Sequence, residues 1–287
     1  MRAFVVTLAL FAALLAALPA SASSKEALFV AAEKGNIAAV KKHLAAGGSV
    51  DAADANKLSL LNWAAYGGAF EIVKLLVAQK ADVNIHVNKS GWTPLMNASA
   101  MGHAQIAAYL LDHGADLSLL STDGYAALSF AAAKQRTDVV KLLLAKGADR
   151  GNALVAMAYK NDAAAVRLLL ENGVDPNASP QKKEMFFIPG ETALYRAASD
   201  NNAPMVALLL EKGASPDVSA PSGGNMPTPL SMAAYYCNGA MIDSLLQHGA
   251  SKGLTNGSGN TALDLARTGW TNNMQPCDAG IQAKLAG

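Results

Sequence analysis

The sequence has no marked excess of charge, few cysteines, and no long apolar run after its first 22 residues. Lysine and arginine number 23 against 22 acidic residues, for a formal net charge of +1. A nucleic-acid partner requires a basic face, so this balance argues against nucleic-acid binding. The missing apolar run argues against a membrane span in the body of the chain. The two cysteines, Cys237 and Cys277, lie far from the N-terminus, which argues against a bacterial lipoprotein anchor.

Motifs of catalytic and metal centres are also missing. The sequence contains no Gly-x-Ser-x-Gly elbow, phosphate-binding loop or His-Glu-x-x-His helix, and no histidine has a Cys or His partner at metal-ligand spacing. Five aspartates recur in or next to turns, where they cap backbone amides: Asp82, Asp116, Asp149, Asp175 and Asp217. We therefore expect no enzyme activity, no metal and no cofactor.

The first 22 residues form a segment of their own. Arg2 supplies a positive start, residues 3–18 are largely apolar, and a small-x-small pattern ends at Ala22. These features are typical of a secretory signal peptide that is cut after Ala22. A retained membrane anchor is the alternative, although a run of about sixteen residues falls short of the ~20 that span a bilayer. Removing residues 1–22 leaves 22 basic and 22 acidic residues.

A 33-residue pattern recurs along the remainder of the chain. Its clearest copy runs from Thr93-Pro94-Leu95 to Gly102-His103 and ends at Gly114-Ala115-Asp116. Counting from the leucine of each copy, a glycine follows nineteen residues later in most copies, and Lys80 replaces it in one. The pattern predicts eight units, anchored at Leu28, Leu61, Leu95, Leu128, Leu154, Leu194, Leu230 and Leu263.

The residues of one unit predict two short helices. Thr93 can cap the first helix and Pro94 suits its first position, where no amide hydrogen is needed. Gly102 then stops that helix. Apolar residues at helical spacing form the second helix, and Gly114 can close it in the left-handed conformation.

The pattern resembles ankyrin repeats. The resemblance implies an all-α solenoid of about eight helix-turn-helix units with short β-hairpin fingers, a monomer that binds another protein. A repeat domain then spans residues 23–287, after a signal peptide at 1–22. Its units lie near 24–56, 57–89, 90–122, 123–150, 151–176, 190–216, 226–252 and 259–287.

Spacing departs from the period in three places. The interval from Leu128 to Leu154 contracts to 26 residues, so the finger there is expected to be nearly absent. Insertions at 177–189 and 217–227 are expected to be loops on the finger side, where repeat proteins tolerate insertions and often bind with them. The first contains Met185, Phe186, Phe187 and Ile188, four apolar residues that either pack on the stack or form a second candidate binding surface.

Cys237 and Cys277 are the only cysteines, and an exported protein meets an oxidising compartment. We expect them to form a disulfide that closes a loop around the last unit. The alternative is two free thiols, with Cys237 filling the position where other units place glycine.

The resemblance also implies where a partner binds. Ankyrin proteins typically use the concave groove lined by the first helix of each unit, together with the finger tips. Five of the seven tyrosines fall on these positions, and tyrosine and tryptophan are common anchors of binding sites. Packing that stiffens the groove is the alternative role for these rings. The candidate protein-binding residues are Tyr66, Trp92, Met101, Tyr125, Lys134, Tyr159, Lys160, Asp200, Tyr235 and Tyr236.

The expected function is therefore protein binding after export. An alanine-rich leader of this kind resembles those of Gram-negative bacteria, which favours the periplasm, where the protein would hold, protect or inhibit an exported protein. One alternative is a secreted effector that engages host proteins. The other is a ligand-binding or catalytic role built on the loop insertions.

Overall fold

A computed structural model describes residues 24–86, 89–180, 189–218, 228–256, 258–268 and 275–286. The described ranges contain sixteen α-helices and no β-strand. The signal peptide predicted at 1–22 lies outside them. In chain order the helices are α1 Ser24–Glu33, α2 Ile37–Ala45, α3 Leu60–Gly67, α4 Phe70–Ala78, α5 Pro94–Met101, α6 Ala104–Asp112, α7 Ala127–Ala133, α8 Thr137–Ala145, α9 Arg150–Tyr159, α10 Ala163–Glu171, α11 Ala193–Ser199, α12 Ala203–Glu211, α13 Pro229–Tyr235, α14 Gly239–Gln247, α15 Ala262–Thr268 and α16 Ala279–Ala286.

The helices form eight antiparallel pairs that stack into a solenoid. Each odd-numbered helix packs on the odd-numbered helix of the next pair, from α1 to α15. One hydrophobic core runs along the stack, from Phe29 to Leu285. The anchor leucines of the six inner units are fully buried, whereas Leu28 and Leu263 of the end units are only partly buried. This difference reflects the stack, since an end unit has a neighbour on one side only.

The first helices begin where the sequence predicts. The Thr93 hydroxyl accepts a hydrogen bond from the Met96 amide at 3.2 Å, and Pro94 occupies the first turn of α5. Gly102 follows α5 at φ 87°, in the left-handed region. Ser59, Thr192 and Thr228 cap α3, α11 and α13 in the same way as Thr93. Capping hydroxyls therefore set the start of these four first helices.

The second helices end in a left-handed residue, which is glycine in most units. The exception is Lys80, which adopts φ 67° after α4. A side chain in this conformation crowds the following carbonyl at a cost of ~1–2 kcal/mol. Gly147, the equivalent residue after α8, has φ 87°, and a Cβ placed on it would meet no atom within 4 Å.

Lys80→Gly is therefore expected to raise the free energy of unfolding by up to about 1 kcal/mol, because glycine relieves the backbone strain but loses more entropy on folding. The reciprocal variant Gly147→Lys is expected to lower it by a similar amount, since only the backbone conformation opposes the substitution there. Urea unfolding of both variants measures the difference. Equal stabilities for wild type, Lys80→Gly and Gly147→Lys would contradict this interpretation.

The predicted β-hairpin fingers are not formed as strands in the described ranges. Among the described residues, isolated antiparallel bridges join Ala53 to Ser59 and Thr255 to Thr261. The connections are instead tight turns, as where the Ser121 amide donates to the Tyr125 carbonyl at 3.0 Å. A turn of this length leaves too few residues on either side to build a ladder of backbone hydrogen bonds.

The structure describes the contracted interval between Leu128 and Leu154, but only a small part of the two predicted insertions. Asp149 caps α9 directly after the turn that ends α8, accepting from the Asn152 amide at 3.0 Å. No room remains for a finger, in agreement with the shortened spacing. Most of both predicted insertions, including Met185, Phe186, Phe187 and Ile188, lies outside the described residues.

The structure joins Cys237 and Cys277 in a disulfide with a Cα–Cα distance of 5.3 Å, which confirms the predicted pairing. The bond links the end of α13 to the segment before α16. Cys277 is buried, and its amide donates to the Ala266 carbonyl of α15 at 2.8 Å. The disulfide therefore ties the last helix pair to the unit before it.

Candidate protein-binding groove

The predicted binding residues form a row along one edge of the stack. Met101, Tyr159 and Tyr235 are the last residues of α5, α9 and α13. Lys134 and Asp200 directly follow α7 and α11. Because the first helices of successive units pack side by side, their ends fall in line. We call this row the groove edge.

The groove edge is most open in its C-terminal half. Large apolar side chains are exposed at only three described positions, namely Tyr159 (47% exposed), Tyr236 (38%) and Leu254 (39%). Two of the three belong to the predicted binding set. Exposed aromatic rings with few rotatable bonds are well suited to anchor a partner.

Tyr125 is buried, and the structure does not present it on the groove surface. It is 4% exposed, and its ring lies edge-on to Phe130 with centroids 6.1 Å apart. Burial raises the pKa of the Tyr125 hydroxyl, with smaller effects from Asp123 and Tyr159. Trp92 is partly buried and also packs on Phe130, with the ring centroids 4.3 Å apart. Tyr125 and Trp92 therefore both pack against Phe130, which is the alternative role that the sequence left open for these rings.

The N-terminal part of the edge is less open than the C-terminal half. Tyr66 and Met101 are partly buried, and the Tyr66 ring lies edge-on to Trp63 at 6.3 Å. The His103 ring nitrogen donates to the Tyr66 carbonyl at 3.1 Å and so fastens two units together. Any contact made by Tyr66, Trp92 or Met101 stays a prediction.

An ion pair underlies the open half of the edge. Arg196 of α11 contacts the buried carboxylate of Glu191 at 2.6 Å, and its guanidinium lies 5.4 Å from the centre of the Tyr159 ring. The hydroxyl of Tyr236 donates to the Ser199 carbonyl at 2.7 Å. The Tyr235 and Tyr236 rings meet edge-to-face at 4.9 Å. These contacts hold the exposed tyrosines in place, which reduces the entropy that a partner must remove on binding.

Side-chain amides form a ladder next to these tyrosines that the sequence analysis missed. The Asn202 amide donates to the Asn161 side-chain oxygen at 2.8 Å, and the Asn238 amide donates to the Asn201 oxygen at 2.7 Å. Asn161 and Asn201 have φ values of 56° and 54°, at the position that Gly102 occupies in an earlier unit. Asparagine in a glycine position was the available signal, because asparagine tolerates this conformation better than most residues.

An open cavity of about 650 Å³ lies between the fifth and sixth units, beside this ladder. Asp200 lines it, together with Tyr159, Lys160, Asn161, Asn201, Asn202 and Pro204. The predicted binding residues Tyr159, Lys160 and Asp200 therefore meet in one cavity. Lys160 places its ammonium 4.6 Å from the centre of the Tyr125 ring, toward the fourth unit.

Desolvation by the surrounding protein raises the pKa of the Asp200 carboxyl, although the residue is exposed at the mouth of the cavity. Arg196 opposes this effect and Glu191 adds to it. Because the folded state binds the proton more tightly than the unfolded state, stability falls as pH rises from the ordinary to the raised pKa. The charged carboxylate therefore destabilises the fold at neutral pH.

Asp200→Asn is accordingly expected to raise the free energy of unfolding at pH 7 and to weaken its acid-range pH dependence. Asp264→Asn is the contrasting variant, for which the opposite change in the free energy of unfolding is expected. Hydrogen bonds from Thr261 lower the pKa of Asp264, so this carboxylate stabilises the fold above its ordinary pKa and loses that effect as pH falls. Thermal unfolding between pH 3 and 7 measures both. A destabilised Asp200→Asn variant at pH 7 would contradict the expected sign.

The histidines and the turn aspartates have backbone partners. A ring nitrogen of every histidine donates to a backbone carbonyl, at His43, His86, His103, His113 and His248. Asp82, Asp116 and Asp175 each accept from the amide two residues ahead. Asp217 accepts from the Ser251 amide in the next turn at 2.9 Å.

Neither a metal-binding cluster nor a helix able to cross a membrane is present in the part of the chain that the structure describes. No group of three or more His, Cys, Asp or Glu side chains is arranged there to hold a metal ion. None of the helices there has the length and apolar character needed to cross a membrane.

Comparison with known proteins identifies the repeats. A family model described as ankyrin repeats in three copies matches residues 12–87, 28–121, 82–151 and 128–220, and a second, described as ankyrin repeats in many copies, matches 209–266. The chain therefore belongs to the ankyrin repeat family. Ankyrin repeats form protein–protein interaction modules, and their fold is typically a binding scaffold without catalytic activity.

The relatives share the repeats with larger proteins. The chain is 27% identical over 245 residues to "Putative palmitoyltransferase ZDHHC13" of Danio rerio, across 85% of this chain and 33% of that protein. It is 36% identical over 108 residues to ankyrin repeat and SAM domain-containing protein 6 of Rattus norvegicus, across 35% of this chain and 11% of that protein. The chain thus spans a third or less of either relative.

A solved structure resembles nearly the whole solenoid. The human ASB11 ankyrin repeat domain superposes with a TM-score of 0.51 and 26% sequence identity, covering 79% of this chain and 96% of that one.

Proposed function

We propose that this protein is exported to the periplasm and binds another exported protein through the groove edge, so that it holds, protects or inhibits that partner without chemistry of its own. The observation that carries the proposal is the exposure of Tyr159 and Tyr236 at the ends of α9 and α13, flanking the Asp200 cavity. The N-terminal segment ending at Ala22 supports export. The balanced charge supports a protein partner over nucleic acid.

A binding experiment tests the interaction. The mature protein, residues 23–287, is immobilised and exposed to an envelope extract, and retained proteins are identified by mass spectrometry. Each candidate is then purified and titrated calorimetrically. We expect a saturable complex that weakens when Tyr159 or Tyr236 is replaced. Candidates that bind the groove variants as tightly as the wild type would contradict the assignment to the groove edge.

Cell fractionation with intact-mass analysis tests the compartment separately. Protein in the periplasmic fraction is expected to begin at Ser23. Recovery from the culture medium would favour the secreted effector instead, and retention of residues 1–22 would refute cleaved export. Neither result alters the interpretation of the binding experiment, which uses the purified mature protein.

A further inference from the structure

The Asp200 carboxylate has no hydrogen bond or ion pair within the described residues. Its backbone amide donates to the Arg196 carbonyl at 3.0 Å, but its side chain faces a cavity. The neighbouring cations point to other groups. Arg196 is paired with Glu191, and the Lys160 ammonium lies over the Tyr125 ring. The Asp200 carboxylate thus lines the cavity without a hydrogen bond or ion pair of its own in the described residues, and only the nearby charge of Arg196 partly offsets its desolvation.

The cavity around Asp200 offers several hydrogen-bond acceptors, alongside the Lys160 side chain that also lines it. The side-chain oxygens of Asn161 and Asn201 each accept one bond in the amide ladder and keep a second lone pair. The carboxylate offers up to four further acceptor sites. A planar cation with several N–H donors matches this set better than a single point charge does.

Tyrosine rings flank the carboxylate on both sides along the stack. Tyr159 lines the cavity, and Tyr236 of the next unit is bonded to the residue before Asp200. The pKa of Tyr236 is raised chiefly by burial, with Tyr235 and Asp200 adding to the effect, so the carboxylate acts on this hydroxyl. Aromatic rings beside a carboxylate favour a flat cation, which can both stack and form an ion pair.

Resting on the proposed function, we propose that the Asp200 cavity receives an arginine side chain of the partner protein. The guanidinium pairs with the Asp200 carboxylate, donates to the oxygens of Asn161 and Asn201, and packs beside Tyr159 and Tyr236. The carboxylate that destabilises the free protein then becomes compensated in the complex. Asp200 is a specificity-determining residue in this arrangement.

The first experiment uses small probes and the mature protein. Isotope-labelled protein is titrated with N-acetyl-arginine amide, with its neutral isostere N-acetyl-citrulline amide, and with N-acetyl-lysine amide. We expect saturable shifts of the Asn161, Asp200 and Asn201 amide signals with the arginine probe, and affinities weaker by about tenfold or more for the other two. If the citrulline probe binds as tightly as the arginine probe, the cavity does not recognise charge. If the lysine probe binds as tightly, the cavity does not recognise the planar guanidinium. Either result overturns the proposal.

Two variants separate recognition from folding. Asp200→Asn keeps the shape of the side chain and is expected to lose the arginine response while remaining folded. Asp138→Asn, an exposed carboxylate on α8, is the matched control and should retain it. An unchanged arginine response in Asp200→Asn overturns the proposal.

Failure of this inference can be distinguished from failure of the proposed function. Panning of a random heptapeptide phage library should enrich arginine on wild type but not on Asp200→Asn. If arginine probes bind at Asp200 but the groove variants do not weaken the captured partner, recognition of arginine by the cavity stands and binding through the groove edge fails. If a partner binds the groove edge with an affinity that Asp200→Asn leaves unchanged, the proposed function stands and this inference fails.

Discussion

Replacing Cys237 and Cys277 with serine is expected to lower the free energy of unfolding by about 4 kcal/mol. The disulfide closes a loop with a sequence separation of 40 residues, and the loss of this restraint increases the entropy of the unfolded chain by that amount. The last helix pair depends on it most, because α16 has a neighbouring unit on one side only. Hydrogen exchange in α15 and α16 is therefore expected to accelerate more than in α5 to α8.

The measurement is urea unfolding combined with hydrogen exchange, on wild type and the double serine variant. Lys284→Ala is the control, since it removes only the exposed ion pair to Asp243 of α14, and such pairs contribute at most about 1 kcal/mol. A double variant with the stability of wild type and unchanged exchange in α15 and α16 would show that the bond does not stabilise the end of the stack.

Tyr159→Ala and Tyr236→Ala are each expected to weaken binding of the partner by about 30-fold, corresponding to ~2 kcal/mol. Both rings are exposed, so the free energy of unfolding should change by less than about 1 kcal/mol. Calorimetric titration with the captured partner measures affinity, and urea unfolding measures stability.

Leu254→Ala is the matched control for these variants, because Leu254 is similarly exposed but lies in the connection after α14, outside the ends of the first helices that form the groove edge. It should leave affinity unchanged. Loss of stability without loss of affinity in the tyrosine variants would assign these rings to packing, the alternative that the sequence left open.

Local chemistry explains why much of the fold was predictable. The caps at Thr93 and Thr228 and the left-handed Gly102 act within one helix turn, so their spacing along the chain predicts helix starts and ends. The β-hairpin fingers are not confirmed as strands, because strand pairing depends on loop length as well as turn residues. Cys237 and Cys277 could be paired because no other cysteine was available.

The site was predictable only in part, because it depends on contacts between units. Tyr125 occupies a position typical of partner contacts, yet its ring turns into the space beside Phe130. Whether a side chain at such a position faces inward depends on the volume left by neighbours in three dimensions. The Asn161 to Asn202 bond likewise joins residues 41 positions apart, which repeat spacing alone does not reveal.

Site-specific photo-crosslinking in living cells tests the central claim most directly. A benzophenone amino acid replaces Tyr159 on the groove edge in one variant and Lys141, exposed on the second helix α8, in another. The account predicts a covalent adduct with one envelope protein from position 159 and none from position 141. Adducts from position 141 with none from position 159 would contradict binding through the groove edge.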